Sequence, residues 1–153
     1  MFDALLDSNV IVAVVAEAHE HHTASLALLP EPVGARLAVS AHSYAEAYST
    51  LTRCGDRAPF TFTAGEAWAS LASLRAVTGL IGLTPAQTFE ATSRYAASGG
   101  IGPRLYGALI GEAAILHNIP GIVTWNIGHM RGLFPDLDVL TPEAFAARRA
   151  ARG

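Results

Sequence analysis

Two carboxylates and one amide stand where an α/β sequence would place metal-binding side chains. Asp7 ends the apolar run Phe2-Asp3-Ala4-Leu5-Leu6 and heads Asp7-Ser8-Asn9-Val10-Ile11. An apolar run, a polar turn and an apolar helix read as strand, site and helix. In an α/β protein that puts Asp7 at the carboxyl end of an early strand, in the crevice where ligands bind. Asp7 equally suits a helix N-cap, a role that Asp favours and that Ser8 or Asn9 could share. Glu46 lies in Ser40-Ala41-His42-Ser43-Tyr44-Ala45-Glu46-Ala47, directly after a second apolar run. Helical spacing sets His42, Glu46, Ser49, Thr50 and Arg53 on one polar stripe. The stripe is either an ordinary solvated face or, because its helix starts at a strand end, a wall of the same crevice. Asn126 closes the buried-strand pattern Gly121-Ile122-Val123-Thr124-Trp125-Asn126. It is either a partner of Asp7 or a turn residue, for which Asn is common. His129 follows within one helical turn.

These residues need a scaffold, and the chain alternates short β-like runs with helical patterns. The strands are expected at Ala4–Leu6, Leu37–Ser40, Leu80–Leu83, Ile122–Trp125 and Val139–Leu140. Several are continuously aliphatic, as strands buried on both faces are. Thr63-Ala64-Gly65-Glu66 and Thr84-Pro85-Ala86-Gln87 fit the capping-box pattern, and Thr141-Pro142-Glu143 opens a last helix. Pro30-Glu31-Pro32 and Gly99-Gly100-Ile101-Gly102-Pro103 punctuate the chain between elements. The alternation predicts an α/β fold, a mainly parallel sheet covered by helices on both faces.

The 153 residues suit one domain with a sizeable core. With 51% hydrophobic and 15% charged residues, the chain is not disordered and has apolar surface to spare for a subunit interface. No apolar run reaches membrane-spanning length, and Asp3 and Asp7 interrupt what would be a signal-peptide core. Cys54 is the only cysteine, so no intrachain disulfide or cysteine metal cluster can form, which fits a reducing cytoplasm. A net charge of −3 gives no general attraction to polyanions. A polyanion would have to be held by a local basic patch, and Arg53, Arg57, Arg104 and Arg131 are near the crevice in sequence. The basic tail Arg148, Arg149 and Arg152 reads as a solvated helix end. His19, His21 and His22, with Glu17 and Glu20, read as a solvated turn rather than a transition-metal site. Phe60, Phe62, Trp68, Phe89 and Tyr95 read as core or dimer surface.

Taken together, Leu-Asp-Ser-Asn-Val near the start, Ala-Glu-Ala-Tyr-Ser-Thr-Leu-Thr-Arg at 45–53 and Val-Thr-Trp-Asn-Ile-Gly-His-Met at 123–130 resemble the motifs of PIN-domain ribonucleases. The closest resemblance is to VapC-type toxins of toxin–antitoxin pairs, and it covers about residues 3–145. Gly102-Pro103-Arg104-Leu105-Tyr106-Gly107-Ala108-Leu109-Ile110 resembles a further motif of that family. The resemblance implies a three-layer α/β/α fold and an endoribonuclease dependent on Mg²⁺ or Mn²⁺. It implies a homodimer, a cognate VapB-type antitoxin whose tail enters the active-site groove, and an RNA substrate, often tRNA. The family's metal positions fall on Asp7, Glu46, Gly107 and Asn126. Thr124 matches a small hydroxyl residue beside the last of these, and His129 a variable, often polar position.

Two positions depart from the family pattern. Gly107 stands where an Asp is usual, and Asn126 where many members have Asp. A glycine inside a helix is unfavourable by about 0.8–1.0 kcal/mol relative to Ala, so something should offset it. Gly107 and Gly111 share a helix face, which suits close packing against a neighbour. Alternatively Gly107 marks a lost carboxylate, and Glu112, about 140° round the helix, would not replace it fully. Two carboxylates and the Asn126 amide could hold one ion but supply too little charge for two. Hydrolysis is then expected to be slow or absent. The alternative is a non-catalytic module that grips RNA or an antitoxin. A small-molecule binder is disfavoured because no Gly-rich phosphate loop follows the first strand.

Overall fold

A computed structural model describes residues 1–29 and 36–151. Five strands, β1 (Ala4–Leu6), β2 (Leu37–Ser40), β3 (Gly79–Ile81), β4 (Gly121–Val123) and β5 (Asp138–Leu140), form one sheet in the order β3-β2-β1-β4-β5. Among the described residues every pairing is parallel, so the sheet is wholly rather than mainly parallel there. The helices are α1 (Ser8–Val15), α2 (His22–Leu26), α3 (Ala41–Leu51), α4 (Ala64–Val77), α5 (Pro85–Ala97), α6 (Arg104–Leu116), α7 (Ile127–Leu133) and α8 (Pro142–Ala150).

Side chains alternate across a strand, and β1 shows what this does here. Ala4 and Leu6 enter one core with Val10 and Val14 of α1, Leu51 of α3, Leu71 of α4 and Phe145 of α8. Leu5 enters the other core, with Ile110 and Ala114 of α6 and Met130 of α7. The sheet is therefore sandwiched between two helical layers, as expected. Both capping boxes are formed, at Thr63 with Glu66 and Thr84 with Gln87. Thr141 caps α8 by accepting from the Ala144 N–H.

Two strands end earlier than their apolar runs suggest. β3 lies on Gly79–Ile81 and not Leu80–Leu83, because its ladder partner β2 stops at Ser40, where α3 begins. β4 stops at Val123 and not Trp125, because side chains take over the next amides. Asn9 Oδ1 accepts from the Trp125 N–H at 3.1 Å, and Thr124 Oγ1 from the Asn126 N–H at 2.9 Å. Among the described residues no helix is long and apolar enough to cross a membrane. The expected break at Pro30-Glu31-Pro32 and the tail residue Arg152 lie outside the described residues.

Candidate active site

Strand order reverses around β1: the chain moves to β2 and β3 on one side, then to β4 and β5 on the other. The carboxyl ends of β1 and β4 are therefore neighbours, and they carry Asp7 and Thr124-Trp125-Asn126. A cleft of about 240 Å³ opens there, lined by Asp7, Glu46, Arg104, Gly107, Asn126 and His129 with a few neighbours. Every residue expected at the metal site is present in it. Thr124 stands just beneath, fully buried.

Asp7 serves as both helix cap and cleft residue. Its Oδ1 accepts from the Ser8 N–H at 2.6 Å, capping α1, and its Oδ2 accepts from Thr124 Oγ1 at 2.7 Å and Asn9 Nδ2 at 3.2 Å. Burial pushes its pKa above the ordinary value, opposed by the hydrogen bonds from Thr124 and Ser8 and by the positive field of His129. Asn9 is more than an alternative cap: it also donates to Thr124 Oγ1 at 3.1 Å and so links the ends of β1 and β4. Sequence reading missed that bridge, since nothing in residues 7–9 alone shows which strand lies alongside.

Glu46 reaches the cleft from α3, which Ser40 starts at the end of β2 by accepting from the Ser43 N–H. Burial, and then the charge of Asp7, push its carboxyl up to about 7. His42, one turn earlier, places Nε2 3.4 Å from Glu46 Oε1, yet Oε1 is buried without a hydrogen bond. The His42 ring lies against Tyr106, with centroids 4.9 Å apart, and burial lowers its pKa. Tyr106 is a cleft residue that the sequence reading passed over. Its position beside Gly107 was the available signal.

Gly107 and Gly111 both face α7. A β-carbon on Gly107 would stand 2.9 Å from His129 Nε2, and one on Gly111 would run into the Phe134 ring. Both glycines thus sit where α6 and α7 pack closely. The same contact puts the His129 imidazole where a side chain at 107 would be. His129 Nε2 is buried and has no hydrogen-bond partner. Glu112 does not line the cleft; it pairs with Arg94 of α5, Nη2 to Oε2 at 2.9 Å.

The arginines divide. Arg104 lines the cleft and also an adjoining hollow of about 410 Å³ that shares His129. Arg131 turns away, donating Nη2 to the Val139 carbonyl of β5 at 3.1 Å. Arg53 is exposed, beyond the end of α3 at Leu51, so it does not continue the stripe of Glu46. Arg57 is exposed on the same loop. In the tail, Arg148 pairs with Asp138 and Arg149 lies 5.9 Å over the Phe145 ring, so neither is simply solvated. The histidine turn is also more tied down than expected. His21 stacks on Trp125 with centroids 3.8 Å apart, and His19 on Phe60 at 5.9 Å. Phe60 and Phe62 pack on the core, whereas Trp68 and Phe89 are exposed.

Among the described residues no three His, Cys, Asp or Glu side chains close into a ready-made metal cage. The donors line an open cleft instead, and two of them, Glu46 Oε1 and His129 Nε2, are buried without partners. Asp7, Glu46 and Asn126 supply oxygen donors of the kind that a hard divalent cation takes.

The PIN domain family matches residues 4–127. The chain is a PIN-domain protein. PIN domains are generally nucleases. No curated protein matches this PIN domain in sequence. Solved structures do match it in fold. VapBC2 from Rickettsia felis, bound to a promoter DNA fragment, is 20% identical with a TM-score of 0.62, over 90% of this chain and 97% of that one. VapC20 of Mycobacterium tuberculosis, a toxin that cleaves the sarcin–ricin loop, is 18% identical with a TM-score of 0.59, over 78% and 86%. VapBC-1 of Haemophilus influenzae is 15% identical with a TM-score of 0.60, over 91% and 97%.

Proposed function

We propose that this PIN domain is the toxin of a VapBC-type pair, an endoribonuclease whose cleft holds a divalent cation, Mg²⁺ or Mn²⁺. The observation that carries the reading is the convergence of Asp7, Glu46 and Asn126 from β1, α3 and β4 on one cleft. Asp7, Glu46 and the Asn126 amide oxygen are the residues that would hold the ion. When bound, it would polarise the scissile phosphate and acidify a water to give the attacking hydroxide.

The chain's own groups do the positioning. Thr124 and Ser8 fix the Asp7 carboxylate by hydrogen bonds, so its charge is aimed before substrate arrives. Glu46, with a pKa of about 7, can take up or release a proton near neutrality. Arg104 offers a guanidinium to a phosphate at the cleft edge. RNA is the substrate class, and a cognate VapB-type antitoxin is the partner. The family and the likeness in fold to VapBC assemblies support both readings. The exposed Trp68 and Phe89 are available to a homodimer contact.

The test is RNA cleavage with Mg²⁺ or Mn²⁺ by the chain and by Asp7→Asn. Metal-dependent cleavage that the substitution abolishes supports the reading; cleavage that survives it removes Asp7 from the site. A second reading, a module that binds RNA or antitoxin without cutting, is favoured by one feature. His129 and not a carboxylate occupies the space beside Gly107. RNA binding with no cleavage under either metal would select it.

A further inference from the structure

The hollow of about 410 Å³ beside the cleft shares Arg104 and His129 with it, so the two are continuous. Its size is within the range of pockets that take small molecules, about 300–1,000 Å³. One wall is Tyr95, near the end of α5, with the loop that follows. The other is α7 at Gly128 and Gly132.

The Tyr95 wall is held in place. A β-carbon on Gly100 would stand 2.5, 2.5 and 2.6 Å from Cε1, Cζ and Cε2 of the ring. Three nearly equal distances put that point over the face of the ring, so Gly100 covers one face at a closeness that only glycine allows. The Tyr95 hydroxyl donates to the Ile101 carbonyl at 3.0 Å. Gly99 and Gly102 turn the same loop at φ +80° and +67°, which glycine adopts at no steric cost. Ile101, at the rim of the hollow, is left 83% exposed. The α7 wall is bare. β-Carbons at Gly128 and Gly132 would meet nothing within 4 Å, in contrast to Gly107 and Gly111. A helical glycine is unfavourable relative to Ala, and neither packing nor a positive φ requires these two. Their effect is to keep the hollow open.

We infer that the hollow is a base subsite for single-stranded RNA: it takes the base of a nucleotide next to the cleft, stacked on the free face of Tyr95. The inference rests on the nuclease reading above and specifies how its substrate is held. Unstacked bases of single-stranded RNA are recognised by stacking on aromatic side chains. A ring already fixed by Gly100 and the Ile101 carbonyl loses little freedom when a base covers it. Arg104 belongs to both cavities, so its guanidinium can hold the phosphate that links the nucleotide in the hollow to the one in the cleft. Single-stranded or looped RNA is then preferred to duplex, in which the bases are already stacked on one another.

The test compares binding of a short single-stranded RNA with binding of the same sugar–phosphate chain lacking its bases. EDTA is present to stop metal-dependent cleavage. Stacking on one aromatic ring is worth about fivefold or more in Kd, so the intact RNA should bind at least that much more tightly. Gly132→Leu fills the hollow from α7, and Tyr95→Leu removes the ring but keeps apolar bulk. Each should shrink the difference between the two ligands by about fivefold, and Tyr95→Phe should preserve it. A general loss of structure would weaken both ligands alike and leave their ratio unchanged. A preference below fivefold in the unaltered chain overturns the inference, and that measurement needs no variant to fold. A preference that persists undiminished in Gly132→Leu and Tyr95→Leu overturns it too. If Mg²⁺- or Mn²⁺-dependent cleavage is still abolished by Asp7→Asn in either case, the nuclease reading stands. A chain that neither binds nor cuts RNA defeats both.

Discussion

Thr124 Oγ1 donates to Asp7 Oδ2 at 2.7 Å, joining the ends of β4 and β1 at the floor of the cleft. The same oxygen accepts from the Asn126 N–H and from Asn9 Nδ2, so one buried hydroxyl fixes three cleft residues. Thr124→Val keeps the shape and deletes all three bonds. It should destabilise the fold by about 1–3 kcal/mol, the usual effect of leaving buried polar groups unpaired. It should also raise the Asp7 pKa further, since that bond is the largest influence lowering it. Chemical denaturation and a titration of cation affinity against pH measure the two effects. Full stability in the valine variant would mean that water replaces the hydroxyl.

The contact between Gly107 and His129 makes an unusual prediction about helix propensity. Gly to Ala in a helix interior ordinarily stabilises by about 1 kcal/mol. Here the new β-carbon would press on Nε2 at 2.9 Å, so Gly107→Ala should gain little or lose stability. In a His129→Ala background the ordinary gain should return. Residues in contact commonly couple by about 0.5–3 kcal/mol, so unfolding free energies of the four chains should fail to add by that much. Equal effects in both backgrounds would show that the ring moves aside freely.

Much of this was legible in the sequence because it depends on local pattern. The β1–Asp7–α1 unit, the second strand with Glu46 one turn inside its helix, and both capping boxes are short-range features that period and cap chemistry record. What the sequence left open depends on which elements are neighbours. Asp7 read as cap or ligand, and it is a cap whose second oxygen is held by a residue 117 positions away. Gly107 read as a packing residue or a lost carboxylate, and the packing is visible only once α7 is seen to lie against α6. The arginines were the weakest reading. Distance along the chain could not show that Arg131 points at β5 while Arg104 faces the cleft.

Glu46 makes stability depend on pH in a definite direction. Its pKa is about 7 in the folded chain against an ordinary 4.5. Below 4.5 both states hold the proton and nothing is lost. Between 4.5 and 7 the unfolded chain ionises first, so stability falls as pH rises; above 7 the deficit is complete. Glu46→Gln has no such deficit. In the metal-free chain its stability relative to the parent should be unchanged near pH 4, grow through pH 5 to 7, and level off above. Thermal melts at four pH values would show it, and a difference that is flat with pH would mean the carboxyl is not desolvated.

Three of the four arginines expected near the crevice, Arg53, Arg104 and Arg131, should separate by their salt dependence. Each phosphate neutralised on a single strand contributes about −0.7 to the slope of log affinity against log salt. Arg104 lines both the cleft and the adjoining hollow, so Arg104→Ala should weaken RNA binding and flatten that slope by about one such step. Arg131 is engaged with the Val139 carbonyl and Arg53 lies on the loop beyond α3, so neither alanine variant should change the slope comparably. Binding by a cleavage-deficient Asp7→Asn background keeps the RNA intact during the measurement. If Arg53→Ala or Arg131→Ala flattens the slope as much as Arg104→Ala, the RNA path crosses the outer surface. The cleft would then lose its claim to position the scissile phosphate.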